Sequence, residues 1–227
     1  MLKNYKSILA ISIAFIIILL YSGNNYTIAS EDRWRYVGID STCSFKIPST
    51  IEIQSKMYND VSIALYKKIH PNKSLFLPNS EKKIICQQNG LNDLNEKARK
   101  LYVRIIFEEI QSDDILPSLH EKLVLTNNEI NELVDALNSE ILMQAKKINM
   151  RLTSSITSSI ANINGMDCIY VTYKRTIENN PEVIVRIYTF FNRYVIDRFT
   201  VSYRATESHL WENDLETVIN SLKITER

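Results

Sequence analysis

MDCIYVTYK (166–174), VIVRIYTFF (183–191) and YVIDRFTVSY (194–203) are the densest β signal in the chain. Each segment is rich in β-branched and aromatic residues, which suit a pleated, half-buried surface. Ile169, Val171 and Tyr173 alternate with Cys168 and Tyr170, so the first segment is apolar on both faces and reads as a central strand. Asn179-Asn180-Pro181 and Asn192-Arg193 supply turn chemistry between the segments, which predicts an antiparallel meander. A closing helix follows, capped by Thr206 or Ser208. Trp211, Leu215, Val218 and Leu222 make its single apolar stripe. Trp211 should pack on the Met166–Lys174 strand.

Upstream, CSFKIP (43–48) alternates and stops at Pro48, and Ile51-Glu52-Ile53-Gln54 and Val61 to Tyr66 alternate as well. Lys83 to Gln88 is a further strand, ended by the turn pair Asn89-Gly90. Tyr102 to Ile110 places Val103, Ile105 and Phe107 on one face. Between them, Asn92 could cap a short helix with Leu94, Ala98 and Leu101 inward. A long helix begins at Thr126, where Thr126 and Glu129 have capping-box spacing and can satisfy each other's free N–H groups. Ile130, Leu133, Val134, Leu137, Ile141, Ala145 and Ile148 recur behind them at helical spacing. Strands with late and internal helices, without βαβα alternation, predict an α+β fold on an antiparallel sheet.

The chain begins with an address. Lys3 and Lys6 precede the apolar run Ile8 to Tyr21, and a polar stretch ends in Thr27-Ile28-Ala29-Ser30. That is the order of an export signal, with cleavage after Ala29 or Ser30. No cysteine follows the run before Cys43, which argues against a lipid-modified N-terminus. The rival reading is an uncleaved anchor: the run is shorter than the roughly 20 apolar residues of a spanning helix, but its flanks could extend it. Both readings put the rest of the chain outside the cytoplasm. Residues 1–30 are therefore a signal or anchor, and residues 31–227 a single domain. The membrane would be met only through that first segment, if it is retained.

With Lys3 and Lys6 set aside, 25 basic residues stand against 26 acidic ones. A near-neutral domain offers no electrostatic footprint for nucleic acid. The four glycines, Gly23, Gly38, Gly90 and Gly165, are scattered, which excludes phosphate loops built on clustered glycine. His70, His120 and His209 are also scattered, with no zinc motif among them, so no metal or cofactor is predicted. Cys43, Cys86 and Cys168 lie apart in strand-like stretches and read as small buried hydrophobes; one disulfide among them is the alternative. Glu108-Glu109 and Asp113-Asp114 read as solvated charge, because they lack calcium-loop spacing.

One constellation stands out. Tyr170, Lys174, Arg186, Tyr188, Arg198 and Arg204 share strand parity, which predicts a basic and aromatic face on the meander. Arg and Tyr are common on binding surfaces. With Arg198 on this polar face, Arg198→Ala is expected to cost under about 1 kcal/mol.

The order Ile163-Asn164-Gly165-Met166, Tyr170 to Lys174, a hairpin, Phe199 to Tyr203, Trp211 and Val218-Ile219-Asn220-Ser221-Leu222-Lys223-Ile224 resembles the PsbP-like superfamily. That superfamily includes exported bacterial proteins of unassigned role. The resemblance runs from Cys43 to Ile224 in element order and is specific over residues 163–224. It implies an α/β/α sandwich whose members bind protein partners rather than catalyse. Its motifs are structural, so no site residue is transferred. The combined expectation is a non-catalytic, exported or envelope-associated binding or accessory module with an envelope protein as partner. The alternative is an envelope hydrolase whose site is assembled from distant residues.

Overall fold

The computed structural model describes residues 26–31, 33–39, 41–54, 82–91, 97, 100–147, 150–177 and 180–227. The apolar run of the address, the Val61–Tyr66 strand, His70 and the Asn92 cap lie outside them. Twelve strands and two long helices are described. They are β1 (Tyr26–Glu31), β2 (Trp34–Ile39), β3 (Cys43–Pro48), β4 (Ile51–Ile53), β5 (Lys82–Gln88), β6 (Val103–Gln111), α1 (Asn127–Lys147), β7 (Met150–Leu152), β8 (Thr157–Ile163), β9 (Met166–Ile177), β10 (Val183–Asn192), β11 (Val195–Arg204), α2 (Ser208–Asn220) and β12 (Lys223–Ile224). Among these residues no helix is long and apolar enough to cross a membrane.

The meander forms as its alternation dictates. β9, β10 and β11 pair antiparallel and continue through β6, β5 and β4, while β7 and β8 share the outer edge of β9. A second, four-stranded sheet runs β1-β2-β3-β12. The class is α+β, mostly antiparallel. The second sheet and the short strands β7, β8 and β12 were not anticipated as such, since each is short or only weakly alternating.

Two cores flank the large sheet. On one face Ile84, Cys86, Ile105, Phe107, Phe199 and Val201 meet Val37, Phe45 and Ile47 of the second sheet, and Trp211, Leu215 and Val218 of α2 close the layer. Phe45 and Phe199 meet edge to face with ring centroids 5.1 Å apart. On the other face Ile110, Ile169, Val171, Val185, Ile187 and Ile196 pack with Ile141 from α1. The expected layering therefore holds, except that α2 shares its layer with a sheet. α2 packs on β3 and β11, while Met166 and Cys168 of β9 belong to the same core.

The capping box at the start of α1 is present. The Thr126 N–H donates to Glu129 Oε2 at 2.7 Å, and the Glu129 N–H donates to Thr126 Oγ1 at 3.3 Å. The start of α2 differs from expectation. Thr206 lies within a 3-10 turn, Ala205–Glu207, and Ser208 is already the first helical residue, so neither side chain caps. Asn164 and Gly165, at φ of 55° and 83°, turn β8 into β9 as a two-residue hairpin. Asn164 Nδ2 donates to the carbonyl of Asn220 (3.1 Å), which the end of α2 leaves free, and to that of Leu222 (2.8 Å), just ahead of β12. The two motifs behind the family resemblance are thus one contact. Cys43, Cys86 and Cys168 are all buried and free. Burial, with the Asp167 charge adding to it, pushes the Cys168 thiol up to about 12.

Candidate functional site

The hairpin turns decide which of the six predicted face residues meet. The longer β9–β10 connection keeps parity, so Tyr170 lies opposite Tyr188, and Lys174 opposite Ile184. The β10–β11 hairpin turns through Arg193-Tyr194, with Val195 opposite Asn192. A two-residue loop sets odd residues opposite even ones, so Arg198 shares its face with Thr189 and Arg204 with Val183. The predicted face is therefore split. Tyr170, Lys174, Arg186 and Tyr188 are on the α2 side of the sheet, and Arg198 and Arg204 are on the α1 side.

On the α2 side, Arg186, Tyr188 and Ile163 line the sheet wall of an open groove of about 370 Å³. Glu212, Asn213, Glu216 and Asn220, with Ile219, form its helix wall. The Tyr170 and Tyr188 rings lie 5.1 Å apart, tilted by 39°. The Arg186 guanidinium stands 5.5 Å from the Tyr203 ring centre and 3.6 Å from Glu212 Oε1. Burial first, then the neighbouring Tyr170, pushes the Tyr188 hydroxyl well above the ordinary phenol range, although Arg186 opposes it. The groove therefore presents one neutral phenol, Tyr188, one anchored cation and a row of carboxylates and amides. Lys174 lies further along, exposed and 3.3 Å from Glu182.

The helix wall was missed in the sequence. Its signal was the spacing of Glu212, Glu216 and Asn220, one polar stripe alongside the apolar stripe of Trp211 and Leu215.

Arg198 is a correction. It is only 1% exposed, its Nε donates to Glu108 Oε1 at 2.7 Å, and Lys83 Nζ donates to Glu108 Oε2 at 3.0 Å. The three residues lie in one cross-strand row over β5, β6 and β11. Burial would raise the Glu108 carboxyl, but the charges and hydrogen bonds of Arg198 and Lys83 outweigh it and hold it below the usual range. Glu109, also read as solvated, is buried with Arg227 on its carboxylate. Of the two acidic pairs, only the second touches water: Asp113 is exposed and Asp114 half-buried. The second departure, Arg204, stacks its guanidinium 5.4 Å from the Tyr102 ring centre.

Ala29 and Ser30 lie in β1, opposite Tyr36 and Arg35 of β2. His120 and His209 are exposed, and neither lines the groove. Among the described residues no group of three or more His, Cys, Asp or Glu side chains is placed to hold a metal.

A scan against protein-family models finds no match, and a search of curated protein sequences finds none. Solved structures do show likeness. The PsbP of Synechocystis sp. PCC 6803 is 10% identical, with a TM-score of 0.46, covering 90% of this chain and 95% of its own. LpqN of Mycobacterium tuberculosis, described as involved in cell envelope biogenesis, is 8% identical, with a TM-score of 0.35, covering 90% of this chain and 92% of its own. A Bacteroides thetaiotaomicron protein is 9% identical at a TM-score of 0.41, and the match spans 46% of its length. A PsbP structure is thus among those this chain is similar to.

Proposed function

We propose that the protein is an exported accessory module of the cell envelope that binds a protein partner in the groove beside α2 and performs no chemistry of its own. The observation that carries this reading is the groove's make-up. Arg186, Tyr188 and the adjacent Tyr170 give one wall rigid aromatic and cationic anchors, and α2 gives the other carboxylates and amides that can pair with a polypeptide backbone. The N-terminal address supports export. The hydrolase alternative requires a histidine and a nucleophile in one cavity, and the groove lining contains no histidine, serine or cysteine.

A photo-crosslinking side chain placed at Asn213 or Glu216 in the full chain tests the reading. An adduct with an envelope protein is expected from these positions and not from Glu132 on α1. Adducts no stronger than background at both groove positions would overturn it.

A further inference from the structure

β8 is a bare edge of the large sheet. Its register with β9 runs unbroken from Thr157 opposite Thr172 to Ile163 opposite Met166, and among the described residues no strand pairs with its other side. The two-residue turn Asn164-Gly165 makes Ile163 and Met166 a hydrogen-bonded pair, and such pairs recur at every second residue. Thr157, Ser159, Ala161 and Ile163 therefore turn their backbone groups toward β9. Ser158, Ile160 and Asn162 turn theirs outward, and among the described residues no further backbone bond meets them.

Sheet edges are usually blunted by charge, proline, a bulge or brevity, because free N–H and C=O groups template the pairing of another chain. The seven residues Thr157-Ser158-Ser159-Ile160-Ala161-Asn162-Ile163 have no charge, no proline and no bulge. The other described edges differ. β4 and β7 are three residues long and carry Glu52 and Arg151, β12 has two residues, and β1 ends in Glu31. Thr157, Ser159 and Asn162 are exposed. The Asn162 side chain accepts from the Gly165 N–H and donates to Asp167, so its hydrogen bonds stay within the hairpin.

This edge opens onto the groove beside α2. Ser159 lies opposite Tyr170, which lies opposite Tyr188, and Ile163 at the end of β8 lines the groove itself. A strand added along β8 sets every second side chain on the α2 side, next to the small Ser159 and Ala161. The groove holds two carboxylates, Glu212 and Glu216, against one cation, Arg186, which already sits on Glu212. That balance, with the tyrosine rings, suits a long basic side chain on this side of the added strand. On the other side the added strand meets Ile160, which suits a β-branched apolar neighbour.

We infer that β8 is a docking edge for an extended segment of a partner protein, which adds to the sheet as a further strand with basic and apolar residues in alternation. The inference deepens the reading of the groove and rests on it for the basic side chains. The strand pairing itself depends on β8 alone.

The full chain and a synthetic peptide of three lysine-valine repeats, blocked at both ends, test the proposal. Calorimetry should show binding, and amide exchange should slow at Ser158, Ile160 and Asn162. Ser159 and Ala161, already bonded to β9, should change little. The same peptide methylated at every backbone nitrogen keeps its charge but donates no backbone hydrogen bond, and should bind at least about tenfold more weakly. Ser158→Pro removes one outward donor at an edge position that tolerates proline, and should weaken the unmodified peptide while melting near wild type. If that variant is unstable, the exchange and methylated-peptide measurements on wild type still decide. Glu216→Gln probes the groove separately: protection of the three amides that survives this change upholds the edge even if the groove contributes nothing. No binding, equal binding of the methylated peptide, or free exchange at the three amides in the complex would overturn the edge assignment, whatever the crosslinks at Asn213 and Glu216 show. Protection of those amides without peptide, in a dimeric species, would overturn it as well, because a second copy then fills the edge.

Discussion

Arg198 shows what one residue's face is worth. Sequence parity placed it in solvent, while the structure buries it against Glu108, with Lys83 on the other carboxylate oxygen. Removing one partner of a buried ion pair leaves the other charge uncompensated, which typically costs about 3–5 kcal/mol. Arg198→Ala should therefore destabilise the fold strongly in urea melts, well beyond the small cost expected for an exposed arginine. The pH dependence carries a sign. Glu108 has its folded pKa below the ordinary unfolded value of about 4.3, so its contribution is present above that value and lost as pH falls through the lower one. In Arg198→Ala the main charge holding the carboxyl down is gone and burial raises it, so protonation relieves the defect. The stability gap between wild type and variant should be widest at neutral pH and narrow below about pH 4.3. A gap of equal size at pH 7 and pH 4 would show that lost packing, not charge, is the cause.

At the scale of elements, α2 is held at both ends by contacts of different kinds. Trp211 enters the core between the sheets at its start, only 6% exposed. Trp211→Ala should cost about 3–5 kcal/mol, a large part of the roughly 5–15 kcal/mol that stabilises a domain. Wild-type melting of that variant would mean that the ring is not buried in solution and that the helix docks otherwise. At the other end, Asn164 joins the β8–β9 turn to the last carbonyl of α2 and to the Leu222 carbonyl just beyond it. Asn164→Ala removes both bonds and a residue suited to positive φ, and should cost about 1–3 kcal/mol. Slowed hydrogen exchange at the C-terminal turn of α2 in wild type, lost in the variant, would place that cost at the contact. α1, the meander and α2 were legible because their signals are local: a capping box, alternation, and a stripe at helical spacing. β7, β8 and β12 were not, because they are short or half-polar and become strands only by pairing with β9 and β3.

At the scale of the whole molecule, the predicted signal cleavage site falls within β1. Cleavage after Ala29 would remove Tyr26 to Ala29 from that strand and leave β2 as an open sheet edge. The species purified from the envelope is expected to begin at Ser30 or Glu31, and its intact mass decides the matter. A full-length species that resists carbonate washing would establish the anchor reading and an intact β1. By itself the sequence determined the class of fold, the positions of its main strands and helices, and the absence of clustered-glycine phosphate loops, since these depend on spacing within a few residues. Only the tertiary structure decided which side chains share a face. A single two-residue turn at Arg193-Tyr194 sent Arg198 and Arg204 to the side opposite Arg186. Pairing between strands far apart in the chain then brought Lys83, Glu108 and Arg198 into one buried row. Register is set by turns and long-range pairing together, and neither the groove beside α2 nor the free edge of β8 exists until it is set.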